Sequence, residues 1–251
     1  MVTNLSDLTT YVVTVKTFKD RHSHIRAQAE RHNLKLQFIW DYDADTLSTE
    51  DFARVDVEKL PPKSISTVLK HIEAQRKLMA SGDRFALVVE DDAILFPKFS
   101  AILTQILTSE SLPSEPFLLF AGGADNKTTD TLLKAKPTDL IKHPLSTAEA
   151  YIIERSAAKK RLEWCSENLI DKPADHFLTW IDQKLGITQY WTGVPLATQG
   201  SITGQFKTSL DASRAKHSPL YLRLKYHYNR WRRQTLPRIY ARMSSKRRSE
   251  I

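Results

Sequence analysis

Residues Phe85 to Phe96 read FALVVEDDAILF. The short apolar run FALVV follows a turn signal at Ser81 and Gly82, the pattern of a strand buried on both faces within a largely parallel sheet. Three acids, Glu90, Asp91 and Asp92, come directly after it. They therefore fall at the carboxyl end of a buried strand, where ligands bind in open α/β sheets. Adjacent carboxylates repel one another, and seating them beside a buried strand is costly unless a cation or hydrogen-bond donors compensate. A divalent metal meets that need. Hard cations such as Mg2+ and Mn2+ take oxygen ligands, usually one or two carboxylates with substrate phosphates and waters completing the shell. The plainer alternative is that the acids cap the helix after Pro97 or decorate a turn.

The pattern extends outward on both sides. Tyr11 to Thr17 (YVVTVKT) reads as a strand and leads into a charged segment of helical composition, Asp20 to Asn33. Leu34 to Trp40 (LKLQFIW) alternates as a second strand does and ends in the acidic stretch Asp41, Tyr42, Asp43, Asp45. Ser64 to Ala80 sets Ile65, Val68, Leu69, Ile72, Leu78 and Met79 at helical spacings. Further on, Phe99 to Leu107 reads as an amphipathic helix, Phe117 to Phe120 as a strand and Gly122 to Thr138 as a polar loop region. Ala150 to Ile153 is then a strand, and a helix from Ser156 to Trp164 has Ser156 as its cap. Strands alternating with helices predict an α/β sandwich with a mainly parallel sheet.

The chain has 251 residues, 41% hydrophobic and 26% charged, enough for one substantial core. Its net charge of +8 is unevenly placed. From Arg214 to Ile251 twelve Lys and Arg face one acid, Glu250, so this segment carries +11 and residues 1–213 carry −3. The expected organisation is a domain over residues 1–213 and a basic helical tail over 214–251. The first ten residues do not resemble a secretory signal, and no apolar run approaches the roughly 20 residues of a membrane-spanning helix, which points to the cytoplasm. With Cys165 as the single cysteine, an internal disulfide and a cysteine-based metal site are excluded.

Three blocks occur in an order that resembles glycosyltransferase family 25, the lipopolysaccharide-type transferases related to collagen galactosyltransferases. They are FALVVEDDAILF (85–96), STAEAYIIERSAAKKRL (146–162) and PADHFL (173–178). The opening VVTVKTFKDR (12–21) resembles the family's first strand and basic turn, and Lys70 and His71 fall where the family usually carries Ser-His. Two segments depart from the family: DYDAD (41–45) stands for its Ala-Val-Asp-Gly segment, and SISTVL (64–69) replaces its glycine- and cysteine-bearing run.

The resemblance implies a GT-A type fold, an inverting mechanism and a nucleotide-sugar donor, most often UDP-galactose, with Mn2+ or Mg2+. By analogy with that fold, Asp92 holds the metal, Glu90 supports the metal or the donor ribose, and Asp91 orients the site or the donor sugar. His217 is a candidate third metal ligand. Asp175, inside PADHFL, is the expected general base; read from the residues alone it is a helix N-cap. Thr14, Lys16, Arg21, Asp41 and Thr147 are expected at the donor, with Ala148 beside Thr147 and His176 as a possible orienting group.

The tail segment YLRLKYHYNRWRRQTLPRIY (221–240) interleaves Arg and Lys with aromatic and aliphatic residues, at spacings that form amphipathic helices broken near Pro237. Such segments lie on anionic membrane surfaces. The reading is thus an enzyme on the inner membrane face, acting on a glycan or lipid-linked acceptor. Nucleic acid is the rival partner, disfavoured by the acidic body. Two alternative functions remain open: a noncatalytic membrane or nucleic-acid binding protein on a degenerate transferase scaffold, and a metal-dependent nucleotidyltransferase or phosphohydrolase.

Overall fold

The computed structural model describes residues 4–110, 112–144, 146–208 and 216–249. In chain order its elements are β1 (Thr9–Val13), α1 (Lys19–His32), β2 (Lys35–Ile39), α2 (Thr49–Phe52), α3 (Pro62–Ser81), β3 (Phe85–Glu90), β4 (Ala93–Leu95) and α4 (Phe99–Leu107). Next come β5 (Phe117–Phe120), α5 (Asp130–Lys134), β6 (Leu140–Lys142), β7 (Ala150–Glu154), α6 (Arg155–Glu167), α7 (Ala174–Leu185), β8 (Thr188–Thr192), β9 (Ala197–Gln199) and α8 (Gly200–Thr203). After residue 216 follow α9 (Pro219–Arg230), a π-turn (Trp231–Thr235) and α10 (Leu236–Ser249).

The central sheet has seven strands in the order β2-β1-β3-β7-β5-β8-β6. Only β7 and β6 run against the others, because each pairs antiparallel with its neighbours while the remaining pairs are parallel. This is the α/β sandwich with a mainly parallel sheet that the sequence leads one to expect. Phe85 to Val89 are all buried, and their alternate side chains feed two cores. Leu87 and Val89 pack with Ile25 of α1 and Phe99, Leu103 and Ile106 of α4. Ala86 and Val88 pack on the opposite face with Ala74 and Leu78 of α3, Ala157 of α6 and Leu178 of α7.

Local chemistry sets several boundaries. Asn33 ends α1 in the left-handed conformation, φ 52°, and Gly82 ends α3 at φ 81°. The first strand stops at Val13 instead of continuing to Thr17. Its last rung is Asp91 N–H to Val13 O at 3.0 Å. Beyond that rung, Thr14 O is taken by Lys70 Nζ at 2.6 Å and Thr14 Oγ1 by Asp91. The cap of α6 also differs from expectation. Glu154, not Ser156, is the N-cap, its carboxylate accepting from the N–H groups of Ser156 and Ala157. The polar stretch after Gly122 is not all loop, since Thr129 caps the short helix α5 within it.

The basic segment does not break at Pro237. That proline sits in the first turn of α10, and its missing N–H leaves Arg233 O without its helical donor. Thr128 N–H fills the vacancy at 2.9 Å, and the Thr128 hydroxyl donates to Gln234 Oε1 at 2.7 Å. The π-turn is thereby held against the body. Tyr226 and Gln234 are buried, and the Arg230 guanidinium lies 4.7 Å from the Phe96 ring centre.

On the α3 side of the sheet, Arg161 and Asp182 form an ion pair with no exposed side-chain surface, at 2.7 and 2.6 Å, with Gln189 as a further donor. Removing one partner strands a buried charge. Arg161→Met should lower unfolding stability by about 3–5 kcal/mol in urea titration, and Arg161→Met combined with Asp182→Leu should restore much of the loss.

Candidate active site

The carboxyl end of β3 opens into a cleft of about 620 Å³. Antiparallel β7 places its entry segment where β3 exits, because Val89 pairs with Ala150 and Glu90 N–H donates to Glu149 O at 3.0 Å. Thr147, Ala148 and Glu149 consequently join Glu90 and Asp92 in the lining. The start of α7 adds Asp175 and His176, the loop after β5 adds Gly123, Asp125 and Asn126, the end of β9 adds Gln199 and α8 adds Ser201.

Each acid has its own compensation. Asp91 is 4% exposed and turned away from the cleft lining; Thr14 Oγ1 donates to its Oδ2 at 2.7 Å and Arg21 to its Oδ1 at 2.9 Å. Burial still raises its carboxyl above the ordinary range, opposed by Arg21 and Thr14. Glu90 accepts from Gln199 Nε2 at 2.9 Å and faces His71 Nε2 at 3.7 Å. Burial pushes Glu90 up, but His71, Gln199 and Arg21 together hold it below the usual value. Asp92 accepts from Ser201 N–H at 3.0 Å, and Arg21 lies 3.9 Å away. Burial, reinforced by the charges of Glu90 and Asp91, pushes it to about 6.

The second ribbon, β4 paired with β9, presents these donors. Gly200 N–H donates to Asp92 O at 2.8 Å, and a Cβ at Gly200 would lie 2.8 Å from that same oxygen. Only glycine permits so close a wrap around the acids. Glu149 accepts from Gly123 N–H at 2.6 Å, and burial, with Glu90 and Asp125 nearby, pushes its carboxyl to about 8.

Of the residues singled out in the sequence, the cleft gathers Arg21, Glu90, Asp92, Thr147, Ala148, Asp175 and His176. Arg21 faces the acids, and its second guanidinium nitrogen donates to Lys207 O at 2.5 Å. Thr14, Lys16, Asp41 and Asp91 are not in the lining. Thr14 supports Asp91 instead. Lys16 and Asp41 have exposed side chains; Asp43 is the member of the DYDAD stretch that turns inward, paired with buried Lys70 and accepting from Lys16 N–H at 3.1 Å. His217 is exposed, its ring centre 4.5 Å from that of Tyr221, and is likewise outside the lining. Asp175 is not the cap of α7, a place held by Pro173; it sits in the first turn and accepts from His176 N–H at 2.8 Å. Sequence reasoning missed Glu149, Asp125, Gln199 and Ser201. Glu149 carried a usable signal, an acid next to an apolar strand, as Glu90 is. Gln199 and Ser201 carried none, since their relation to the acids is wholly tertiary.

Among the described residues, no three His, Cys, Asp or Glu side chains form a ready metal cage. Glu90 and Asp92 nonetheless present two carboxylates to the cleft, and the neighbouring charges that raise Asp92 leave negative charge there for a cation to offset. This oxygen-rich set fits a hard cation held by one or two carboxylates and completed by ligand phosphates and water.

In a mostly parallel sheet, acids at the carboxyl end of an interior strand lie where ligands bind in open α/β folds. Residues 7–178 match the model of glycosyltransferase family 25 (LPS biosynthesis protein), and the chain belongs to that family: it is a glycosyltransferase. No curated protein matches it. Among solved structures, the chain is similar to a glycosyltransferase involved in the glycosylation of the major capsid of PBCV-1 (TM-score 0.46, 9% identity, 88% of this chain and 99% of that one). It is also similar to the inositol-1-phosphate CTP transferase from T. maritima (TM-score 0.38, 8% identity, 87% and 76%).

The raised Glu149 carboxyl has a definite consequence for stability. Folded Glu149 keeps its proton up to about pH 8, whereas its ordinary value is 4.5. Between those limits the unfolded chain binds fewer protons, so stability falls as pH rises. In metal-free protein, Glu149→Gln should match the wild type near pH 4.5 and exceed it by about 10 °C in Tm at pH 8.5. A gap that shrinks with rising pH would contradict the assignment.

Proposed function

We propose that this glycosyltransferase moves a hexosyl group, with galactose from UDP-galactose as the leading candidate, onto a hydroxyl of a lipopolysaccharide or lipooligosaccharide acceptor with inversion. The observation that carries this reading is the convergence of Glu90, Asp92 and Asp175 on one cleft at the carboxyl end of β3. Inverting transfer is a direct displacement: the acceptor oxygen forms a bond to the anomeric carbon, the bond to the diphosphate breaks, and the hydroxyl proton passes to a base. Asp175 is the proposed base, and its place in the first turn of α7 fixes it through the buried neighbours Phe177, Leu178 and Ile181. Asp92 and Glu90 are the proposed ligands of Mn2+ or Mg2+, which when bound supplies positive charge to the departing diphosphate. Arg21 holds Asp91 and faces Asp92, keeping the acids in place between turnovers. Thr147 lines the cleft at the proposed donor side.

The acceptor reading draws support from the basic segment. Its inner side packs on the body through Tyr226 and Gln234, while Leu220, Tyr221, Leu224, Tyr228, Trp231, Ile239, Tyr240 and Met243 are exposed. Lys and Arg are interleaved with them, the pattern of an amphipathic surface that lies on an anionic bilayer. Among the described residues no helix is long and apolar enough to cross a membrane. We place the enzyme on the inner face of the cytoplasmic membrane, with nucleic acid as the disfavoured partner.

With UDP-galactose, Mn2+ and lipooligosaccharide, Asp92→Ala should abolish metal-dependent transfer and leave the fold intact by circular dichroism. Asp175→Asn should lower kcat by about 10²–10⁴ with little change in donor binding. Nucleotide-sugar consumption without a glycosylated product would instead favour a nucleotidyltransferase or phosphohydrolase. Sedimentation with phosphatidylglycerol vesicles should exceed that with phosphatidylcholine vesicles and weaken with salt. A combined Tyr228→Ser, Trp231→Ser variant should lose most of this binding; tighter binding to mixed DNA or RNA than to either vesicle would overturn the membrane assignment.

A further inference from the structure

The two residues that face each other where the sheet opens are both acids. The β3–β7 ladder pairs Val89 with Ala150, so its next position sets Glu90 against Glu149. Side chains directly opposed across antiparallel strands share a face and stand about 5 Å apart. On the other flank of β7, Leu118 pairs with Ile153, and the same register carries Gly122 opposite Glu149. Gly122 offers no side chain. A Cβ there would fall 2.1 Å from Glu149 Oε1, so the carboxyl fills the space that any other residue at 122 would occupy.

This cradle holds Glu149 firmly and asymmetrically. Its Oε1 accepts from Gly123 N–H at 2.6 Å, while Oε2 has no partner. The residue is 3% exposed yet belongs to the cleft lining. An unpartnered oxygen in a buried position is unfavourable in the ligand-free protein, and a ligand group that bonds to it recovers the loss. A phosphate is the poorer match, since it carries charge of the same sign as the neighbouring Glu90 and Asp92 carboxylates. A sugar hydroxyl both donates and accepts, and it suits a fixed carboxyl oxygen.

Building on the reading that the cleft takes a nucleotide sugar, we propose that Glu149 is a specificity-determining residue whose free oxygen hydrogen-bonds a hydroxyl of the donor sugar ring. The donor is assigned, not the acceptor, because the ladder neighbour of Glu149 is Glu90, a proposed ligand on the diphosphate side.

The test is calorimetric binding at one pH with Mn2+ present. UDP-galactose, UDP-glucose, UDP-N-acetylglucosamine and GDP-mannose are each compared with UDP or GDP alone, in wild type, Glu149→Gln and Glu149→Leu. The quantity read is the affinity that the sugar adds to its nucleotide. In Glu149→Leu the added affinity should fall about tenfold while binding of the bare nucleotide stays within about twofold, which also reports an intact fold. Glu149→Gln, which keeps the shape and the hydrogen-bonding capacity, should retain most of it. An unchanged sugar contribution in Glu149→Leu would overturn the Glu149 assignment alone, and so would an equal loss of bare nucleotide in both variants. If wild type binds none of the four donors, the nucleotide-sugar reading itself fails and takes this assignment with it.

Discussion

Three consecutive carboxylates at the end of a buried strand, two of them buried and Glu90 half-buried, form the constraint that the surrounding structure answers. Burial and mutual repulsion disfavour their charged forms, so donors must be brought to them. Those donors arrive from widely separated parts of the chain. Thr14 comes from the end of β1, Arg21 from α1, Gln199 from the end of β9 and Ser201 from α8, while the His71 ring of α3 stands 3.7 Å from Glu90. The compensation is incomplete, as the raised Asp92 carboxyl, near 6, records. A site left short of positive charge is suited to a ligand that brings a cation with it.

The same constraint divides the triplet. Asp91 points inward and is satisfied by Thr14 and Arg21, a structural post between the first strand and the third. Glu90 and Asp92 remain in the cleft. One strand end thereby supplies both a buried anchor and part of the cleft lining, and the antiparallel insertion of β7 adds Glu149 beside Glu90. The departures from the family pattern also find a physical sense. Lys70 stands where the family has serine, and its ammonium is buried against Asp43 and Thr14 O, so the altered DYDAD segment is tied to the residue that follows SISTVL.

Much of this frame was legible in the sequence, because buried strands and amphipathic helices announce themselves through periodicity. FALVV, FLLF and AYII each became a buried strand, and the helices after Thr17 and Pro62 fall where charge and apolar spacing placed them. The acids at the mouth of the α/β sandwich were legible for the same reason. What escaped is non-local. The direction of β7, which sets Glu149 beside Glu90, depends on pairing choices that no local pattern encodes. The short β4–β9 ribbon has too few residues to show a period, and with it went Gln199 and Ser201. Alternation shows that one side of a segment faces inward without showing, once the strand has ended, that Asp43 and not Asp41 is the inward one. Pro237 was taken for a break because its missing donor was visible and the substitute, Thr128 N–H, was not.

The account stands on the ability of this cleft to hold a divalent ion against a diphosphate. Anomalous diffraction from crystals grown with Mn2+ and UDP addresses that point without reference to turnover. The account predicts one strong manganese peak at bonding distance, about 2.0–2.4 Å, from a carboxylate oxygen of Asp92 or Glu90, with the diphosphate oxygens completing its shell. Manganese bound elsewhere, or UDP ordered in the cleft with no metal beside either acid, would contradict it.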